Sequence, residues 1–130
     1  KNMRKLAFTL SLLAFISCKK EEETKEALYP EKTISAEEKQ LQLGQEIFDG
    51  KGMCFSCHKP DQKVIGPSVK QIAEIYKAKN ADMKLFLKEK SEPIVDPSQY
   101  SVMKANLTIT KTFTDEELKA VEAYFYSHLK

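Results

Sequence analysis

The chain has 130 residues, room for one domain, with 42% hydrophobic and 31% charged residues and a formal charge of +2. That near-balance excludes the strongly basic surface expected of a nucleic-acid binder. Three cysteines, one of them far from the other two, leave no framework of structural disulfides.

Residues 3–18 begin with Met3-Arg4-Lys5, continue through a largely apolar stretch from Leu6 to Ile16 and end in Ser17-Cys18. Eleven residues are too few to cross a hydrocarbon layer of about 30 Å as a helix. A basic start, a short apolar run and a small residue before the cut suit a secretory signal. The cysteine at the cleavage point is similar to that of bacterial lipoprotein signals, although Phe15 stands where such signals usually carry leucine. The resemblance implies removal of residues 1–17 and lipidation of Cys18. Losing Lys1, Arg4 and Lys5 from the 21 basic residues leaves 18 against 19 acidic ones, a net charge of −1. Residues 18–34, with Lys19-Lys20-Glu21-Glu22-Glu23, are charged and lack apolar periodicity, so they cannot bury enough surface to fold. They form a tether whose root-mean-square reach is roughly 20–24 Å.

Ser35 and Glu38 have the spacing of a capping box. Leu41, Gly44, Ile47 and Phe48 follow on one helical face, which predicts a helix to about Asp49. Gly50 and Gly52 then turn the chain into Cys54-Phe55-Ser56-Cys57-His58. C-x-x-C-H is the attachment sequence for c-type haem. Two thiols at that spacing reach two neighbouring vinyl groups of a porphyrin, and the histidine after the second supplies an axial nitrogen to the iron. A zinc site needs about four protein ligands, and the chain offers Cys54, Cys57, His58 and His128. A redox dithiol needs a strand before it and a βαβ setting, neither of which the pattern supplies.

Beyond Lys59-Pro60-Asp61 and Gly66-Pro67, Ser68 and Gln71 make a second capping pair. They open a helix carrying Val69, Ile72, Ala73 and Tyr76 on one side. A short helix is expected over 81–90 with Met83, Phe86 and Leu87 inward. Residues 91–113, with Pro93 and Pro97, read as a long irregular loop of the functional kind. Thr114 and Glu117 cap a last helix, where Leu118, Val121, Tyr124 and Phe125 share a face. No strand, repeat or phosphate loop is predicted.

The run Gly44–His58 followed by Gly66-Pro67-Ser68 resembles the class I cytochromes c, the small monohaem electron carriers, over roughly residues 36–128. The resemblance implies an all-α domain over 35–130, three to four helices around one covalent haem c, with the first and last helices crossing near Gly44, Phe48 and Tyr124. It implies Cys54 and Cys57 as thioether tethers, His58 as proximal axial ligand, and the Pro67 carbonyl as acceptor for the His58 Nδ1 proton. For the sixth position it points to Met103, although Lys104 stands where family members often have proline. Met53 is too close to Cys54 to reach the opposite haem face. Met83 sits at core spacing, and His128 falls in the last turn of an amphipathic helix.

The expected protein is therefore an exported, membrane-anchored monomer. It lies at the periplasmic side or the cell surface and carries single electrons between donor and acceptor complexes of the membrane. Histidine–methionine ligation fills both axial sites and argues against catalysis at the iron. Two other readings are a haem-binding accessory subunit or sensor of an oxidase or dehydrogenase, and a small peroxidase-like haem enzyme. Lys51, Lys59, Lys63 and Lys104 lie around the expected haem edge, where they either guide an acidic partner or are ordinary solvated lysines.

Overall fold

Ser35 opens the first helix. Its Oγ accepts from the Glu38 N–H at 3.1 Å while the Glu38 carboxylate accepts from the Ser35 N–H at 2.8 Å, so both members of the box are satisfied. The computed structural model describes residues 34–130; the expected signal over 1–17 and all but the end of the 18–34 tether, Cys18 included, lie outside the described residues. Helix α1 runs Ala36–Asp49, α2 Val69–Ala78, α3 Met83–Leu87, α4 Tyr100–Thr110 and α5 Asp115–Ser127. Among the described residues there is no strand, only an isolated bridge between His58 and Lys63. No described helix is long and apolar enough to cross a membrane.

Thr114 and Glu117 repeat the reciprocal cap at the start of α5, with bonds of 3.2 and 2.8 Å. At α2 the box is half made. Ser68 Oγ accepts from the Gln71 N–H at 3.1 Å, and among the described residues no bond returns from the Gln71 side chain. Helix α3 is shorter than the expected 81–90. Asp82 takes the N-cap position, its Oδ1 accepting from the Lys84 and Leu85 N–H groups. Glu89, at φ 55°, turns the chain left-handed and ends the helix.

The main difference from expectation is α4, which occupies the middle of the supposed loop and raises the helix count to five. Tyr100, Met103, Leu107 and Thr110 recur at helical spacing, but the inward stripe also contains Asn106, and Thr108-Ile109-Thr110 are β-branched and lower the local propensity. Its N-terminus has no side-chain cap, only a 3₁₀ turn over Pro97–Gln99 leading in. Polar inward residues and an uncapped start hide this helix from a search for apolar periodicity.

The core is built where α5 crosses α1, the most extensive contact between elements. Gly44 makes the crossing possible. A Cβ there would lie 2.7 Å from Tyr124 Cβ and closer still to the Ala120 carbonyl oxygen. The roughly 1 kcal/mol that glycine costs within a helix is offset by that approach. The Phe48 ring packs 5.1 Å from Tyr124 and 5.8 Å from Phe125 between ring centres. Ile47, Leu118 and Val121 are almost wholly buried, each stabilising the fold by about 1.5–3 kcal/mol. Helix α5 also touches α2 and α3, so the crossing anchors the frame on which residues 50–68 and α4 hang.

Candidate functional site

The site begins where α1 stops. The Gly50 N–H bonds back to the Glu46 carbonyl and the Gly52 N–H to the Ile47 carbonyl, each at 2.8 Å. Met53 follows in the left-handed region, φ 52°. A 3₁₀ turn then spans Cys54–Ser56, and the Cys57 and His58 N–H groups both donate to the Cys54 carbonyl, at 3.1 and 3.0 Å. Residues three apart on a 3₁₀ turn eclipse one another. The turn therefore sets the Cys54 and Cys57 side chains on one side, which is the physical use of the C-x-x-C spacing. Among the described residues neither cysteine has a disulfide partner. Burial pushes the Cys54 thiol up to about 11, against the lowering effect of its backbone hydrogen bond and with smaller raising effects from Cys57 and Asp49. As a free thiol, before any attachment, it is thereby kept protonated at neutral pH.

His58 is 8% exposed, and its Nδ1 lies 2.7 Å from the Pro67 carbonyl oxygen. Burial lowers its pKa and the Pro67 bond partly opposes that, so the neutral ring is favoured. A carbonyl can only accept, so Nδ1 carries the ring proton and Nε2 keeps its lone pair. That is the tautomer a metal requires, with the outer hydrogen bond fixing the ring's orientation. Gly66 lies against the same ring. A Cβ there would stand 2.6 Å from His58 Cε1 and 2.9 Å from Nδ1. The Gly66 N–H donates to the Cys57 carbonyl at 2.8 Å, and Val69 N–H to the Lys59 carbonyl at 2.9 Å. The loop that presents Pro67 is thus fastened at both ends to the segment carrying His58.

These residues form one wall of a cavity of about 1100 Å³, counting its open mouth. Cys54, Cys57, His58 and Pro67 line the near side, and Met83, Leu87 and Met103 contribute from α3 and α4. Every sequence-predicted haem residue among those described therefore borders the same space. Met53 and Met83 border it as well; Met83, on α3, is 2% exposed. His128 does not. Its Nδ1 donates to the Tyr124 carbonyl at 2.9 Å and its ring stands edge-on to Tyr124 at 4.8 Å, so it completes the end of α5.

The donor set can be tested against the group it would hold. A large apolar cavity, two thiols on one side of a turn, one imidazole with a directed lone pair, and thioethers on the other elements suit a flat apolar macrocycle with an axially ligated iron. Among the described residues no group of three or more His, Cys, Asp and Glu side chains converges, which is what a zinc cage needs. The residues fit haem.

Two further cavity residues escape sequence inspection. Asn106 and Thr110 lie three and seven residues after Met103, on the same face of α4, and both line the cavity. Asn106 Nδ2 donates to the Gly52 carbonyl at 2.9 Å, and Thr110 Oγ1 to the Leu87 carbonyl at 2.7 Å. Their spacing was the available signal, and their polarity concealed it. Of the four lysines, Lys51 pairs with Glu117 and lies over the Phe113 ring. Lys63 pairs with Asp96 at 3.4 Å, Lys59 lies over Phe55 at 5.8 Å, and Lys104 is exposed.

A small all-helical domain that sets C-x-x-C-H under an apolar cavity belongs to the haem-binding electron-transfer proteins. The family model for cytochrome c matches residues 41–128, most of the described chain, and the protein belongs to the cytochrome c family. A search of curated proteins gives no match.

Proposed function

We propose that the protein is a monohaem c-type cytochrome that is exported, held to a membrane through lipidated Cys18, and carries single electrons between membrane redox complexes. Its iron is not a site of catalysis. The observation that carries the reading is the His58 Nδ1 contact with the Pro67 carbonyl at 2.7 Å, on a ring that borders an apolar cavity together with both cysteines.

In this reading Cys54 and Cys57 would tether one haem c through thioethers, and His58 Nε2 and the Met103 thioether would hold its iron. When bound, the haem supplies a one-electron couple. Everything else is done by the chain. Pro67 holds the Nδ1 proton and so keeps Nε2 aimed at the cavity. A thioether from Met103 favours the ferrous state and raises the potential. With His58 and Met103 both holding the iron, a small molecule would find no open position. Phe86, Leu87 and Phe113 line the cavity with carbon and exclude water, so the charge change is felt in a medium of low dielectric. The tether over 18–34 lets the module turn between a donor and an acceptor.

The test is made on the exported holoprotein. Its mass in denaturing solvent should equal the mature chain with its Cys18 lipid plus one haem. The ferric protein should show the far-red charge-transfer band of thioether ligation, and the ferrous protein should not bind carbon monoxide. Cofactor lost on denaturation, or ready carbon monoxide binding, overturns the tethered carrier. For the anchor, Cys18→Ser should move the protein from the membrane fraction to the soluble fraction; unchanged fractionation refutes lipidation there.

A further inference from the structure

Helix α4 has little of its own to hold it. It has no side-chain N-cap, and its sequence does not favour helix strongly. It is fastened from the side. Asn106 reaches the carbonyl of Gly52, fifty-four positions away and two residues before Cys54, and Thr110, 1% exposed, reaches the carbonyl of Leu87 at the last residue of α3. Both bonds arise on the face that carries Met103, one turn and two turns beyond it. The Leu87 carbonyl is one of the orphan acceptors a helix leaves at its C-terminus. The Gly52 carbonyl also faces the Cys54 Sγ at 3.5 Å, so the acceptor for Asn106 sits at the entrance to the cysteine turn.

We infer that Asn106 and Thr110 are positioning residues that clamp α4, and with it the Met103 thioether, to the opposite wall of the cavity. The proposal rests on Met103 as the distal ligand. Asn106 ties the helix to the segment that leads into Cys54, so the two walls are joined by one hydrogen bond. Thr110 ties it to α3, so the helix cannot pivot about that bond. A methionine on an unclamped helix would leave and return freely; a clamped one would stay in place. Neither side chain is a metal ligand.

Three variants test this in the holoprotein. Asn106→Leu and Thr110→Val remove the donors while keeping the branched shape of the side chains, and Thr110→Ser keeps its hydroxyl. Each loss should raise hydrogen exchange of the α4 amides about tenfold, which corresponds to about 1.4 kcal/mol, and Thr110→Ser should restore protection. The far-red thioether band should be lost at lower urea than the far-ultraviolet helix signal in both donor-less variants, whereas in the parent the two are lost together. Exchange limited to global unfolding, or bands that melt with the whole domain in every variant, overturns the clamp. If Thr110→Val fails to fold, Asn106→Leu and Thr110→Ser carry the same comparison. A parent protein without the far-red band refutes Met103 ligation instead, and exchange over α4 then still decides whether the helix is clamped.

Discussion

The two walls of the cavity are built in opposite ways. The His58 wall is local: Cys54, Cys57, His58, Gly66 and Pro67 lie within fourteen consecutive residues, and their bonds close short loops. The Met103 wall comes from a separate helix held by side-chain bonds across fifty-four and twenty-three positions. A local wall can be rigid before the rest of the domain has packed, because its loop-closure cost is small. A remote wall is only as firm as the contacts that bring it in. The near side is thus suited to fixing a cofactor and the far side to adjusting it.

The largest break should come on the near wall. His58→Ala removes the one histidine that lines the cavity among the described residues, and almost no holoprotein should accumulate, measured as haem absorbance per chain. Met103→Ala, by contrast, should leave haem incorporation largely intact while opening the iron to carbon monoxide. Equal loss of haem in both variants would erase the distinction between a holding wall and an adjusting one.

Gly66→Ala comes next. Its Cβ would stand 2.6 Å from His58 Cε1, so either the ring or the loop must move. Overpacking of this kind costs about 1–3 kcal/mol, and here it also disturbs the bond to Pro67. Urea denaturation of the holoprotein should show that loss together with a shifted reduction potential. An unchanged potential would mean that the loop yields and the ring does not.

The same division decides what the sequence reveals. The Ser35 and Thr114 capping boxes are contiguous signals whose chemistry depends on spacing alone, and both form; C-x-x-C-H is equally contiguous, while the part of Pro67 came only with the family resemblance. Gly44, one turn before Phe48, marks a place where another helix can come close, but that α5 is that helix was implied by the family resemblance and is what the structure shows. Helix α4 was not legible. Its inward face depends on partners at Gly52 and Leu87, and a hydrogen bond to a distant carbonyl leaves no mark on local periodicity. Asn106 and Thr110 therefore read as loop residues until the fold brings their acceptors to them. The shortening of α3 was hidden for a related reason, since nothing in the sequence signals that Glu89 will adopt φ 55°.

A smaller effect concerns the loop that feeds the near wall. Lys51 bonds the Glu117 side chain and the Thr114 N–H adds to it, and together they hold the Glu117 carboxyl below its ordinary 4.5. A depressed folded-state value means that the charged form is favoured by folding. The stabilisation is fully present above 4.5 and is lost as the pH falls through the folded value. Acidification should therefore lower the melting temperature, and Glu117→Gln should flatten that slope while keeping the cap, since glutamine serves at this position. A variant with the parent slope would assign the acid sensitivity elsewhere, Asp115 beside Lys88 being the next group whose carboxyl is held low.

The smallest expected effect is that of salt on electron exchange. Lysines around a haem edge suggest steering by charge, and steered encounters gain about 10–10³-fold and lose it steeply with ionic strength. Here Lys51 and Lys63 are already paired with Glu117 and Asp96. Three of the residues that both line the cavity and reach solvent are apolar, Met53, Ile65 and Val102 at 53, 58 and 52% exposed, with Gln99 a polar neighbour among them. Met53 presents its side chain from a left-handed backbone, a conformation that costs a non-glycine residue about 1–2 kcal/mol. A mouth of this composition favours contact by desolvation over long-range attraction. Oxidation of the ferrous protein by hexacyanoferrate should slow by less than about tenfold from low to high salt, below the range of steered encounters. Lys104→Glu should alter the salt slope more than Lys51→Gln, because Lys51 already faces a carboxylate. A steep slope that Lys51→Gln removes would mean that the pair opens in solution and that the near wall, too, meets its partner through charge.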